Sequence, residues 1–75
     1  MTRLTDLQIG EQGRVLDFDG EPSLVQRLLE MGLTDGETVK VLRFAPFGDP
    51  IEIRVRGYNL SLRRSEASAV EIEKA

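Results

Sequence analysis

The sequence predicts a mostly β domain: a small five-stranded barrel with one α-helix inserted at about residues 22–31. Three observations carry this. Short runs alternate apolar with polar residues, most cleanly Ile51, Ile53 and Val55 against Glu52, Arg54 and Arg56. Gly and Pro punctuate the chain between those runs. One segment instead repeats its apolar residues at helical spacing. At 75 residues, the chain is expected to form one domain, 1–75. Closing short strands on themselves then removes exposed sheet edges.

Thr5-Asp6-Leu7 reads as a single turn, with Leu4 and Leu7 covering one end of a core. Gln12 to Phe18 is the first strand, with Val15, Leu16 and Phe18 as its apolar mass. Asp17-Phe18-Asp19-Gly20 breaks it. Pro22 suits the first position of a helix, where its missing N–H is not needed; Ser23 as N-cap with Gln26 closing a capping box is a competing start. Leu24, Val25, Leu28 and Leu29 share one face, and Gln26, Arg27 and Glu30 point away. Gly32 is the expected left-handed residue after the helix, and Leu33 can close over Leu28 as in a Schellman ending.

Asp35-Gly36 signals a turn, and Glu37 to Phe44 the next strand. Its alternation slips near Leu42, which points to a bulge or to burial on both faces. Ala45-Pro46-Phe47-Gly48 fits a type I turn, with Pro second and Gly fourth, and Pro50 keeps Asp49 extended. After the strand Ile51–Val55, Gly57-Tyr58-Asn59 supplies a tight reversal. Leu60 and Leu62 alternate with Ser61 and Arg63 in the fourth strand. Arg64 to Ser68 is a short turn, and Val70 and Ile72 belong to the fifth strand.

Composition narrows the function. The chain has no Cys and no His. That removes disulfides, Ser–His and Cys–His catalysis, and metal sites built on thiolate or imidazole, so the expectation is not an enzyme. The net charge of −3 disfavours general capture of nucleic acid or anionic lipid. The charge is uneven: residues 38–64 hold six Lys/Arg and two acids, while residues 1–37 hold three Arg and eight acids. No apolar run approaches the ~20 residues of a transmembrane helix, and MTRLTDLQIG lacks the apolar stretch of a signal peptide. A cytoplasmic location is expected.

Three features could carry chemistry. Asp17, Asp19 and Glu21 look like the opening of a calcium loop, but the loop would need Gly where Pro22 stands and an acid where Leu28 stands. They remain a weak carboxylate site at most, against the plainer reading of a solvated acidic loop at a helix N-terminus. Arg54, Arg56, Arg63 and Arg64 form a basic patch on neighbouring strands. It could dock an acidic partner or a phosphate backbone, or simply be satisfied by Glu52, Glu71 or Glu73. Nucleic-acid barrels also add aromatic stacking platforms; here only Phe18, Phe44, Phe47 and Tyr58 exist, most of them needed for the core. Phe47 sits at a turn tip, where it either anchors an interface or folds over the barrel mouth. No Gly-rich phosphate loop is present, since neither Gly32 nor Gly36 is followed by Lys-Ser/Thr.

Three ordered segments resemble the FeoA family, the small cytoplasmic accessory proteins of bacterial ferrous iron transport. They are Arg27-Leu28-Leu29-Glu30-Met31-Gly32-Leu33 with Asp35-Gly36; Ala45-Pro46-Phe47-Gly48-Asp49-Pro50-Ile51; and Leu60-Ser61-Leu62-Arg63-Arg64 with Glu66-Ala67 and the strand at Val70–Ile72. Phe47 departs from the family, which more often has Leu there. The resemblance marks Leu28, Gly32, Gly36, Pro46, Gly48 and Pro50 as structural. It implies an SH3-like barrel, although the aromatic groove for proline-rich ligands is not supplied by this composition. It also implies a non-enzymatic role, docking on the FeoB transporter, whose cytosolic part is a G-protein-like GTPase. Arg27, Glu30, Phe47, Asp49, Arg54 and Arg56 are then the candidate partner contacts. No cofactor is required. The divalent-metal binding attributed to the family would rest here on carboxylates alone and be weak. The alternatives are a nucleic-acid-binding barrel using the four arginines and a metal-responsive interaction module.

Overall fold

In the computed structural model, which describes residues 2–75, strands β1 (Thr2–Arg3), β2 (Gln12–Phe18), β3 (Thr38–Phe44), β4 (Ile51–Val55), β5 (Tyr58–Leu62) and β6 (Val70–Lys74) form one antiparallel sheet. Its order is β1-β6-β2-β3-β4-β5. Helix α1 (Pro22–Glu30) joins β2 to β3, and the one-turn helix α2 (Arg64–Ala67) joins β5 to β6. A 3-10 turn at Leu4–Asp6 follows β1. The sheet curls round one cluster of buried side chains: Val15 of β2, Val39 and Val41 of β3, Ile51 and Ile53 of β4, Leu62 of β5 and Val70 of β6 are all fully buried. Leu4 and Leu7 close one end of it.

The five expected strands are present, and a two-residue strand joins them: Thr2 and Arg3 pair with Ile72 and Glu71. Where a plain turn was expected after β5, Arg64–Ala67 winds into a helical turn. Its first turn closes because Glu66, three residues after Arg63, accepts the Arg63 N–H at 2.9 Å. The slip at Leu42 is a bulge, with the β3–β4 register shifting between Val41 and Arg43. A second bulge, between Val15 and Asp17 on the β2–β6 pair, turns Leu16 outward. Leu16 is exposed rather than part of the core.

Pro22 takes the first turn of α1 and Glu21 is its N-cap, so the Pro22 start prevails over a Ser23 capping box. The helix ends in a Schellman motif: Leu33 N–H donates to Leu28 O at 3.1 Å and Gly32 N–H to Leu29 O at 3.0 Å. Gly32 has φ +97°, a conformation that costs Gly little. Leu28 and Leu33 are both fully buried. The apolar face is narrower than the spacing suggests: Leu24 and Val25 are half-buried and Leu29 is exposed. Leu28 is the one fully buried side chain of α1.

The reversal between β4 and β5 begins one residue earlier than expected, at Arg56-Gly57, with φ of +53° and +80°. Two consecutive positive φ values make a two-residue I′-type turn, whose twist matches the strands it joins. Arg56 is therefore a turn residue and not on the outer face of β4, while Tyr58 and Asn59 are already in β5.

Near the end of β6, Lys74 pairs with Glu11. Its hydrogen bond, reinforced by the N–H of Gln8, holds the Glu11 carboxyl below the usual carboxylate range. A lowered folded-state value means that the pair's contribution is present at neutral pH and lost as pH falls through the titration of Glu11. In Lys74→Ala the Glu11 midpoint, followed by NMR, should move up toward the ordinary range.

Candidate functional site

Loop 45–50, between β3 and β4, is held from both sides. Gly48 N–H donates to Ala45 O at 2.7 Å, closing the turn, and Ala45 N–H donates to Pro50 O at 3.0 Å. From beyond β5, Arg64 clamps the loop: its N–H donates to Asp49 Oδ1 at 3.0 Å and its Nη1 to Gly48 O at 3.2 Å. The Asp49–Pro50 peptide is cis. Phe47 at the tip of the loop is 99% exposed. It does not fold over the barrel mouth.

Two shallow clefts flank the loop, sharing Pro50 and Ser61. One, about 410 Å³, runs past Arg43, Phe44 and Pro46. The other, about 470 Å³, is lined by Arg27 of α1, Asp49, Pro50, Ser61 of β5, Arg63 and Glu66. Glu66 organises the second cleft. It is 6% exposed; its Oε1 takes the Arg63 N–H at 2.9 Å and its Oε2 faces Arg27 Nη1 at 3.2 Å. One carboxylate thus ties α1 to the start of α2. Removing it in Glu66→Ala leaves the part-buried Arg63 N–H without its acceptor, while the exposed Arg27 stays solvated, and is expected to cost about 1–3 kcal/mol. Glu66→Gln, which keeps an acceptor for the N–H, should lose less. Urea denaturation of the two variants checks this.

The structure brings together three of the sequence-derived contacts, Arg27, Asp49 and the Phe47 loop, and disperses the rest. Glu30 is exposed on α1 and accepts from Gln26 Nε2 at 3.3 Å. Arg54 lies mid-β4 opposite Lys40 and Asn59 and donates to Asn59 Oδ1 at 3.2 Å. Arg56, in its turn, pairs with Glu37 at 2.7 Å. Arg63 stands four residues along β5 from the partner of Arg54, roughly 13 Å at 3.3 Å per residue. The four arginines therefore do not make one compact patch. Nor do Glu52, Glu71 or Glu73 neutralise them: Glu52 pairs with Arg43 and Glu73 with Arg14.

The acidic trio also separates. Asp17 accepts the Phe18 N–H, Asp19 pairs with Arg3 at 3.0 Å, and Glu21 serves only as N-cap. Among the described residues, no group of three or more acids is placed to hold a metal ion. Among them, too, no helix is long and apolar enough to cross a membrane.

Glu66 and Arg64 were not legible as site builders, although an acid three residues after Arg63 is the spacing of a helix-start acceptor. The loop clamp by Arg64 has no local signal at all, because its acceptors lie on another hairpin.

Residues 2–74 match the FeoA domain family. The chain is 39% identical over 71 residues, 95% of its length, to a protein of Porphyromonas gingivalis described as an Fe(2+) transport protein A/Fe(2+) transporter FeoB fusion, of which it spans 8%. It superposes on the solution structure of the FeoA protein from Chlorobium tepidum with a TM-score of 0.90 at 40% identity, covering 97% of this chain and 70% of that one. With a zinc-complexed FeoA of Stenotrophomonas maltophilia, described as a prokaryotic SH3 domain protein, the TM-score is 0.85 at 26% identity, covering 97% and 91%.

Proposed function

The chain belongs to the FeoA family, and from that premise we propose that it is a non-enzymatic accessory domain that docks on the cytosolic side of a FeoB-type ferrous iron transporter and modulates uptake. The observation that carries this reading is the P. gingivalis relative, in which the equivalent segment shares one polypeptide with FeoB. Fusion fixes a high effective concentration of the domain beside the transporter, which matters only if the two act together. The S. maltophilia relative, for which a role as a ferrous iron transport activating factor has been suggested, agrees with it.

The surface supports docking rather than catalysis. Both clefts are shallow and lined in part by arginines already engaged, while Phe47 offers a fully exposed aromatic on a braced loop. Aromatic anchors of this kind dominate protein interfaces. Arg27 and Asp49 border the same loop and are the polar rim of that contact. The G-protein-like cytosolic part of the transporter is the surface they would meet.

The test is uptake of radioactive iron by cells. Removing the gene should lower ferrous iron uptake at limiting iron, and the unsubstituted gene should restore it. Uptake unchanged by the deletion would refute the role. No resident metal is needed: calorimetric titration with ferrous iron or manganese is expected to stay flat through the micromolar range, and a tight isotherm would favour metal sensing instead. The nucleic-acid alternative predicts a mobility shift with RNA or DNA at low salt. The dispersed arginines and the net charge of −3 lead us to expect none.

A further inference from the structure

One edge of the sheet is long enough to accept another strand. β1 ends the sheet on one side with only two residues, whereas β5 ends it on the other with five. The direction of the β5 backbone groups follows from its turn. A two-residue hairpin closes on a hydrogen-bonded pair, here Val55 with Tyr58, and such pairs alternate along an antiparallel ladder. Ile53–Leu60 and Ile51–Leu62 are then bonded to one another, and Arg54–Asn59 and Glu52–Ser61 are not. The N–H and C=O groups of Asn59 and Ser61 therefore point away from β4, toward the free edge.

That edge borders the 470 Å³ cleft, to which Ser61 and Arg63 both contribute. The ionic groups of the cleft balance in number, Arg27 and Arg63 standing against Asp49 and Glu66, but they are not equally engaged. Among the described residues the Arg63 side chain makes no ion pair, unlike Arg27, which faces Glu66.

Resting on the docking function above, we propose that the β5 edge takes up an extended acidic segment of the transporter's cytosolic part as an added antiparallel strand. Backbone bonds form at Asn59 and Ser61, and an acidic side chain of the segment meets Arg63. Strand addition draws affinity from the main chain and specificity from flanking side chains. The cleft beside Ser61 provides the room, and the braced Phe47 loop adjoins it through Asp49 and Pro50.

Hydrogen exchange by NMR on the intact, unsubstituted chain, with and without the cytosolic part of the FeoB-type transporter from the same genome, tests this. Binding should slow exchange of the Asn59 and Ser61 amides at least tenfold. Arg63→Glu should weaken binding at least tenfold. Ser61→Pro, which deletes an edge-facing N–H and no bond to β4 and is tolerated on edge strands, should do the same with an unchanged circular dichroism spectrum, whereas Ser61→Ala, which loses the hydroxyl alone, should bind as the unsubstituted chain does. Binding that leaves both amides as fast as in the free chain would overturn the edge while leaving docking intact. Absence of any binding would overturn both. Protection that instead grows with the concentration of the chain alone, with a dimer in sedimentation, would overturn the acidic segment in favour of self-pairing.

Discussion

Phe47→Ala is expected to weaken association with the cytosolic part of a FeoB-type transporter by about thirtyfold, the equivalent of the ~2 kcal/mol that marks an aromatic interface anchor. The fold should not notice. Phe47 is 99% exposed, so its truncation removes no buried surface, and exposed substitutions of this kind stay within about 0.5 kcal/mol. The turn that presents it is closed by backbone bonds and by Arg64, none of which involves the ring. Binding by calorimetry and unfolding in urea, measured on the same variant, separate the two effects. Unchanged affinity would remove the loop tip from the interface. Lost affinity with lost stability would mean that the ring supports the fold in a way its exposure does not show.

Leu28→Ala is expected to produce the largest loss of stability, about 2–5 kcal/mol as for other buried Leu truncations. A domain of this length has roughly 4–11 kcal/mol in total, so the variant should sit near the edge of folding. The cost is concentrated because Leu28 alone anchors α1 fully in the core and also meets Leu33 at the end of the helix. Leu29→Ala, one residue on but 38% exposed, is the matched control and should lose under about 1 kcal/mol. Detaching α1 would carry Arg27 away from Glu66 and open the cleft. In Leu28→Ala the Tm and the affinity for the transporter should therefore fall together, whereas in Phe47→Ala only the affinity falls.

How much of this could be read from the chain depends on how local each determinant is. The end of α1 was legible because its stop signal is contiguous: Met31, Gly32 and Leu33 supply the cap, the positive φ and the apolar closure in sequence. The bulge at Leu42 was legible because it breaks an alternation. The bulge at Leu16 was not, since Val15, Leu16 and Phe18 all read as core; what turns Leu16 outward is the register imposed by β6, more than fifty residues away in the chain. The same distance hid β1, whose two residues pair with Glu71 and Ile72. Alternation also misled at Arg56, which continues the polar rhythm of β4 but occupies a left-handed position.

The candidate site divides in the same way. Phe47 at a Pro–Gly turn announced itself as a tip residue, but the turn alone left open whether the ring stands out or folds over the barrel mouth; the structure leaves it exposed. Arg27 was singled out for the outer face of its helix, but its ion pair with Glu66 depends on how α1 and α2 meet. The arginines of β4 and β5 read as one patch because strand alternation places them alike. Turn geometry and the spacing along β5 then send them to different places.

The central proposal is physical docking on the transporter, and a calorimetric titration of this chain with the purified cytosolic part of the FeoB-type transporter encoded in the same genome tests it most directly. Docking predicts a saturable isotherm with one chain per transporter domain, weakened about thirtyfold by Phe47→Ala. A flat titration, with both proteins folded by circular dichroism and in the presence and absence of guanine nucleotide, would contradict it.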